Sequence, residues 1–370
     1  MRVAVLWYAL SGYLNACLKE LATREGVELF VCHEVAPENA PYEKDQFGWI
    51  GNQLVWEFEN DLITLERRLR QFAPDILLFS GWAVPAYRRV ARRSFGKCLR
   101  IMAIDNCWLS TVKQNLAILI SPWYVRPLAD LVWLPGERQA TFARKLGFQQ
   151  RQILRGLYSC DHQALEAVHL SRIEDRRMVP QSFFYVGRLV RDKGIDTLIK
   201  AYEIYRTGCD DPWPLICCGT GPLRPQLENR PGIQLEGFLQ PETLREKLAS
   251  AGCLVLPSNF EPWAVVVHEA AAAGLLIIAS ENVGASVHLV QDAYNGYLFE
   301  GGNASHLAML MERVTSLTNA RRCAMSQASH LLSLQFTPRR WADTLIDAAA
   351  EATRLVTVSR SSDGGYRRLV

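Results

Sequence analysis

The sequence predicts an α/β protein made of two doubly wound domains that face one another across a cleft. Three observations carry that reading. The chain has 370 residues, against a prior of about 150 per domain. Short apolar runs alternate with helical patterns almost from end to end. One polar interruption divides the chain, and the alternation restarts beyond it. Strand-helix alternation implies parallel sheets covered by helices on both faces, and such sheets bind ligands at the C-terminal ends of their strands.

In order, Val3 to Tyr8 reads as a buried strand, followed by a loop at Ser11-Gly12 and a helix from Leu14 to Arg24. Val27 to His33, Asp75 to Gly81 and Leu99 to Asp105 are further strands, each close to the usual length of a buried strand. Leu131 to Pro135 is another, leading through Gly136 into a helix over Glu137 to Leu146. Tyr8 to Gly12, Gly81-Trp82 and Asp105-Asn106 then share one rim. The polar segment Asp161 to Gln181, with Glu174-Asp175-Arg176-Arg177 and Pro180, marks the boundary. Residues 1–160 form the first domain, 161–181 a linker and 182–335 the second domain.

Past the linker come strands at Phe183 to Val186, Pro214 to Cys218, Ile233 to Gly237, Cys253 to Pro257 and Leu275 to Ser280. Helices lie between them at Gly194 to Tyr205, Pro222 to Glu228, Pro241 to Ala251 and Trp263 to Ala273. A last helix, Trp341 to Leu355, falls in 336–358 and is expected to return to the first domain. Residues 359–370 read as a frayed tail.

Composition narrows the function. Hydrophobic residues make up 49% and charged residues 21%, the balance of a globular protein rather than a disordered or fibrous one. Lys and Arg total 41 against 38 Asp and Glu, a net charge of +3, too small for a dedicated nucleic-acid binder. The ten cysteines show no framework spacing and no C-x-x-C, so they read as reduced, structural thiols in a cytoplasmic protein. The opening MRVAVLWYAL lacks a signal-peptide cleavage pattern. The longest apolar candidate, Ala264 to Ala279, is interrupted by His268 and Glu269 and is too short to span a bilayer.

The segment richest in chemistry is LVLPSNFEPWAVVVHEAAAA, Leu254 to Ala273. A strand runs into a loop, and the loop opens a helix whose free amides and dipole favour anions. Glu261 lies in the loop. Glu269 lies inside an otherwise apolar helix, where a carboxylate is costly unless it has a dedicated partner; a bidentate hold on a ribose diol suits it. In FFYVGRLVRDKG, Phe183 to Gly194, a strand ends at Gly187, and the following Arg188 and Lys193 can neutralise a diphosphate. Gly219-Thr220-Gly221-Pro222 again joins a strand to a helix.

Taken together, G-R-x4-K-G, G-T-G-P, P-S-x2-E-P-W-x5-E-A and the later N-G-Y-L-F stretch resemble the retaining GT-B glycosyltransferases of family 4, over about Phe183 to Gly302. The resemblance implies two facing Rossmann-like domains and transfer of a sugar from a nucleotide-sugar donor to an acceptor hydroxyl. It implies that Arg188 and Lys193 grip the diphosphate and Glu269 the ribose. Glu261, with amides around Trp263, Ala264, Val265 and Val266, would meet the donor sugar. Gly187, Gly219, Gly221, Phe238 and Leu239 would border the nucleotide. Where the family commonly has glycine after E-P-W, this chain has Ala264, whose methyl would press on the donor sugar.

In the first domain, Gly12 sits where the family's glycine-containing loop approaches the donor phosphates, and Asp105 sits near the family's acceptor position. As a plain turn or cap carboxylate, Asp105 would have no such role. A basic run, Arg88, Arg89, Arg92, Arg93, Lys97 and Arg100 with Arg67, Arg68 and Arg70 upstream, reads either as a solvated helix face or as contact with an anionic membrane. Membrane contact would fit a glycan acceptor carried on a lipid and a peripheral place at the inner face of the membrane. No cofactor and no divalent metal are expected, because cations and helix amides supply the charge and no D-x-D pair is present. A GT-B nucleotide-sugar epimerase, a phosphorylase-like enzyme and a non-catalytic nucleotide-sugar binding module are the alternatives.

Overall fold

The structure, a computed structural model, describes residues 1–34, 44–56, 62–93, 98–174 and 178–364. The first domain runs β1 (Arg2–Ala9), α1 (Gly12–Ala22), β2 (Glu28–Glu34), β3 (Gln53–Trp56), α2 (Leu62–Phe72), β4 (Ile76–Ser80), α3 (Pro85–Arg92), β5 (Leu99–Ala103), α4 (Val112–Tyr124), β6 (Leu131–Leu134), α5 (Glu137–Lys145) and β7 (Ile153–Arg155). Its seven strands are ordered β3-β2-β1-β4-β5-β6-β7, and every pairing is parallel.

A helix, α6 (His162–Glu174), leads to the second domain: β8 (Phe183–Val186), α7 (Ile195–Gly208), β9 (Leu215–Cys218), α8 (Arg224–Leu227), β10 (Ile233–Gly237), α9 (Pro241–Ala249), β11 (Cys253–Leu256), α10 (Val265–Ala272), β12 (Leu276–Ser280), α11 (Ser286–Leu289), β13 (Gly296–Phe299), α12 (Ala304–Ser316) and α13 (Asn319–Ser333). The chain closes with α14 (Pro338–Gly364). The second sheet, β10-β9-β8-β11-β12-β13, is also parallel throughout. Each strand order reverses beside the domain's first strand, between β1 and β4 and between β8 and β11. Crevices open at such switch points, so topology alone places both halves of a cleft.

The strands read as apolar runs because both faces of these sheets are covered. Val3 to Leu6, Leu77 to Phe79, Cys253 to Leu256 and Leu276 to Ala279 are all buried. The second sheet has one core. The first has two, one under α2 to α5 and the other under α1 and α14. In the latter, Trp341 of α14 stacks on Trp133 with ring centroids 4.8 Å apart. Its indole N–H donates to the carbonyl of Leu157 at 2.8 Å.

The structure departs from the sequence reading in four places. The 161–181 segment is mostly helix, not linker: α6 packs on α9 and α10. Its Arg172 points inward and donates to the carbonyls of Leu248, Ala251 and Gly274 at ends of the neighbouring helices. Arg172 is spent on these carbonyls, so a charged residue that suggests a solvated linker in fact faces inward. The short strands β3, β7 and β13 do not stand out in the sequence, because Gln53, Arg155 and Gly296 interrupt their apolar runs. The tail boundary also shifts, because α14 runs to Gly364 and residues 365–370 lie outside the described residues.

The basic run is not one solvated face. Arg93 pairs with Glu66, Arg100 makes a forked pair with Asp130, and Arg68 bonds Asn52 and Gln53. Arg89 and Arg92 stay exposed, while Lys97 lies outside the described residues. All ten cysteines are free. Among the described residues no helix is long and apolar enough to cross a membrane.

Because Trp341 fills the first domain's core and satisfies a buried carbonyl, Trp341→Ala should destabilise the protein by about 3–5 kcal/mol. Urea denaturation would check this; a loss of under about 1 kcal/mol would mean that α14 is not part of that core.

Candidate active site

Two loops at the C-terminal ends of β8 and β11 build one half of the site. The first, Gly187 to Gly194, is laced to the glycine loop after β9. Gly187 N–H donates to Cys218 at 3.0 Å and Leu189 N–H to Thr220 at 2.8 Å. Gly219, at φ +139°, lies so close to Gly187 that a Cβ would run into the Gly187 carbonyl. Gly221 sits in the same lacing. These glycines therefore close the loops on one another before any ligand is considered.

At its far end the same loop is clamped to the one after β11. Gly194, at φ +71°, abuts the Pro257 carbonyl with no room for a side chain. Asn259 N–H donates to Asp192 at 2.9 Å, and its side-chain amide donates to Arg191 at 2.9 Å. The clamp puts Lys193 against Glu261, and the two form an ion pair in a half-buried position. Arg188 stays exposed beside them, its carbonyl held by the Tyr185 hydroxyl at 2.9 Å.

Beyond Glu261 the chain enters α10. Trp263 is buried, edge-on to Phe336, so its side chain belongs to the core and only its backbone faces outward. Ala264 stands at the N-cap with φ +76° and ψ +84°, and no side chain caps the first turn. Helix geometry leaves the N–H groups of Val265 and Val266 without intrahelical partners, a ready anion site. One turn further, Glu269 points into the cleft. Burial, and then the nearby Asp161, raise its pKa to about 7.

The domains meet here. A cavity of about 520 Å³ is walled by Gly12, Tyr13 and Trp49 on one side and by Leu239, Val265 and Glu269 on the other. Phe238 lies half-buried just past the end of β10. A second cavity, about 810 Å³, opens at the first sheet's switch point and contains Tyr8, Trp82, Asp105 and Asn106. Asp105 accepts from the Tyr158 hydroxyl at 3.2 Å. Asp105 and Glu269 thus stand in separate cavities, and Tyr13 lines both.

Sequence reasoning missed the seam between the domains. The buried amide of Gln139 on α5 donates to the Pro262 carbonyl at 2.7 Å. Glu137 N–H donates to His288 Nε2 at 3.2 Å, which requires a neutral imidazole, and burial lowers the His288 pKa. Nothing in the sequence around Gln139 marks it, because its partner lies on the other domain. Asp161, which the sequence places in the linker, shares the cavity with Glu269. Among the described residues no cluster of His, Cys, Asp and Glu is arranged to hold a metal ion.

Known proteins resemble the chain in the sequence of its second domain and in its fold. Residues 171–330 match the family described as glycosyl transferases group 1. An uncharacterized glycosyltransferase of Methanocaldococcus jannaschii is 31% identical over 152 residues, 39% of this chain and 37% of that protein's length. The alpha-D-kanosaminyltransferase of Streptomyces kanamyceticus is 24% identical over 78% of this chain and 79% of its own. Among solved structures, Anabaena HepE in complex with UDP and glucose superposes with a TM-score of 0.70 at 16% identity, covering 95% of this chain and 100% of that one. That likeness establishes the fold, and the α/β reading of two facing Rossmann-like domains agrees with it.

Ala264 gives a direct test of the local geometry. A left-handed backbone costs an alanine about 1 kcal/mol that glycine avoids. Ala264→Gly should therefore raise stability by about 1 kcal/mol in chemical denaturation, and no gain would mean that α10 starts differently.

Proposed function

We propose that the chain is a retaining glycosyltransferase, a reading supported by the match of residues 171–330 to the glycosyl transferases group 1 model and by the GT-B fold. It moves a sugar from a nucleoside-diphosphate donor to an acceptor hydroxyl. The observation that carries this is the Lys193–Glu261 pair set at the uncapped start of α10, with Glu269 one turn below in the interdomain cavity. The structures of Anabaena HepE hold UDP, glucose or UDP-glucose, which makes UDP the first probe.

The diphosphate docks on Arg188, Lys193 and the amides of Val265 and Val266. It competes with Glu261 for Lys193, and the carboxylate so released turns to the donor sugar. Glu269 accepts hydrogen bonds from the ribose, and Phe238 and Leu239 border the base. The bond from the anomeric carbon to the diphosphate oxygen breaks. The acceptor oxygen bonds that carbon on the same face, and its proton passes to the departing diphosphate. Negative charge grows on the leaving oxygens, where fixed cations and amides do most for the rate. Asp105 and the larger cavity receive the acceptor.

Turnover should persist in a chelator, because Arg188, Lys193 and α10 carry the neutralisation; dependence on an added divalent ion would overturn that part. Glu261→Gln should cut turnover roughly a hundredfold with little change in donor affinity. Only an ionised Glu269 accepts with both oxygens from a ribose diol, and its pKa is raised to about 7. UDP affinity should therefore fall about tenfold between pH 8 and pH 6, and Glu269→Gln should bind weakly with a flatter profile. Calorimetry across pH checks this, and equal profiles for the two proteins would remove Glu269 from the donor site. Release of an altered nucleotide-sugar without acceptor would favour epimerisation instead.

A further inference from the structure

α4 is amphipathic in the reverse sense. Its inner face, Gln114, Ala117, Ile118 and Tyr124, rests on the domain, and Ser121 anchors it by donating to the Leu146 carbonyl at 2.7 Å. Val112, Leu116, Leu119 and Trp123 recur at helical spacing along one outward stripe, and they are 77%, 57%, 68% and 75% exposed. Apolar side chains contiguous over three turns are uncommon on a free surface and mark a docking site.

The charge around the stripe says what docks there. Between Asp75 and Asp130 the sequence carries eight Lys and Arg and a single acid, Asp105, although the whole chain nets only +3. The remainder of the protein is thus net negative, and within this stretch Arg93 and Arg100 are paired with Glu66 and Asp130. The guanidinium carbons of Arg88 and Arg92 lie 5.4 and 5.5 Å from the centre of the Tyr124 ring, next to Trp123. Lys113 is exposed in the first turn of α4, and Arg89 is exposed on α3. An apolar stripe flanked by cations, on a helix too short to span, is the pattern of a segment that lies in the plane of an anionic bilayer.

We infer that α4 is an in-plane membrane anchor, with Val112, Leu116, Leu119 and Trp123 seated among the acyl chains and Arg89, Arg92 and Lys113 on anionic headgroups. The inner face of the same helix walls the larger cavity through Gln114 and Ala117. Resting on the acceptor reading of that cavity, this placement makes the acceptor a lipid-anchored hydroxyl compound, presented to Asp105 from the membrane surface.

The test is co-sedimentation of the full chain with phosphatidylcholine vesicles, with and without phosphatidylglycerol. The chain should bind the anionic vesicles, and added salt should weaken binding. Leu119→Ser with Trp123→Ser should weaken it about a hundredfold at an unchanged melting temperature, since both side chains are exposed. Arg89→Glu with Arg92→Glu should abolish the preference for anionic lipid. The inference is overturned if the wild type stays in the supernatant, or if the serine variant binds like wild type. It is equally overturned if size exclusion shows a dimer that the serine variant splits. UDP binding without vesicle binding would sink the anchor and leave the sugar-transfer reading standing.

Discussion

The close approach of Gly194 to Pro257 organises the donor side. Two loops from neighbouring strands come so near that neither backbone admits a side chain between them, and hydrogen bonds from Asn259 to Asp192 and Arg191 lock the contact. Lys193 and Glu261, 68 positions apart in sequence, meet because of it. With their charges mutually compensated, the site can hold a cation and a carboxylate in a half-buried crevice without stranding either one. An arriving anion then exchanges one partner for another rather than meeting an unpaired charge.

The parallel sheets were legible because strands covered on both faces must be continuous apolar runs, as at Val3 to Leu6 and Cys253 to Leu256. Glu269 was legible for the opposite reason, as a carboxylate in an apolar helix. α6 was not, because Arg172 looks like a linker residue until the carbonyls it serves are seen. Gln139, Tyr13 and Asp161 act across the domain seam, and nothing in a local window marks a residue whose partner lies on the other domain. The stripe on α4 escaped notice for a related reason. Periodicity shows that a helix has an apolar side, and only packing shows which way that side faces.

Ala264 shows how backbone and chemistry constrain each other at one residue. Starting α10 in a left-handed conformation directs its first amides toward the crevice. A glycine would adopt that conformation freely, and the alanine is held there by the bonds that Gly284 and Ala285 make to Glu261 and Trp263. The local strain is offset by the loop that also carries the site's carboxylate, a pattern expected where function fixes geometry.

The return of α14 to the first domain has a bearing on biosynthesis. Trp341, Ala342, Leu345 and Ala348 complete a core that also holds Val5, Leu78 and Trp133. During translation the first sheet therefore emerges with one apolar face covered by α1 alone, and it stays half-covered while the whole second domain is made. Domains usually fold in the order of synthesis; here the N-terminal unit is finished last. A growing chain in that interval exposes a broad sticky surface, so chaperone demand, sensitivity to premature stops and the yield of truncated products should all be governed by the final stretch of the sequence rather than by the domain it completes.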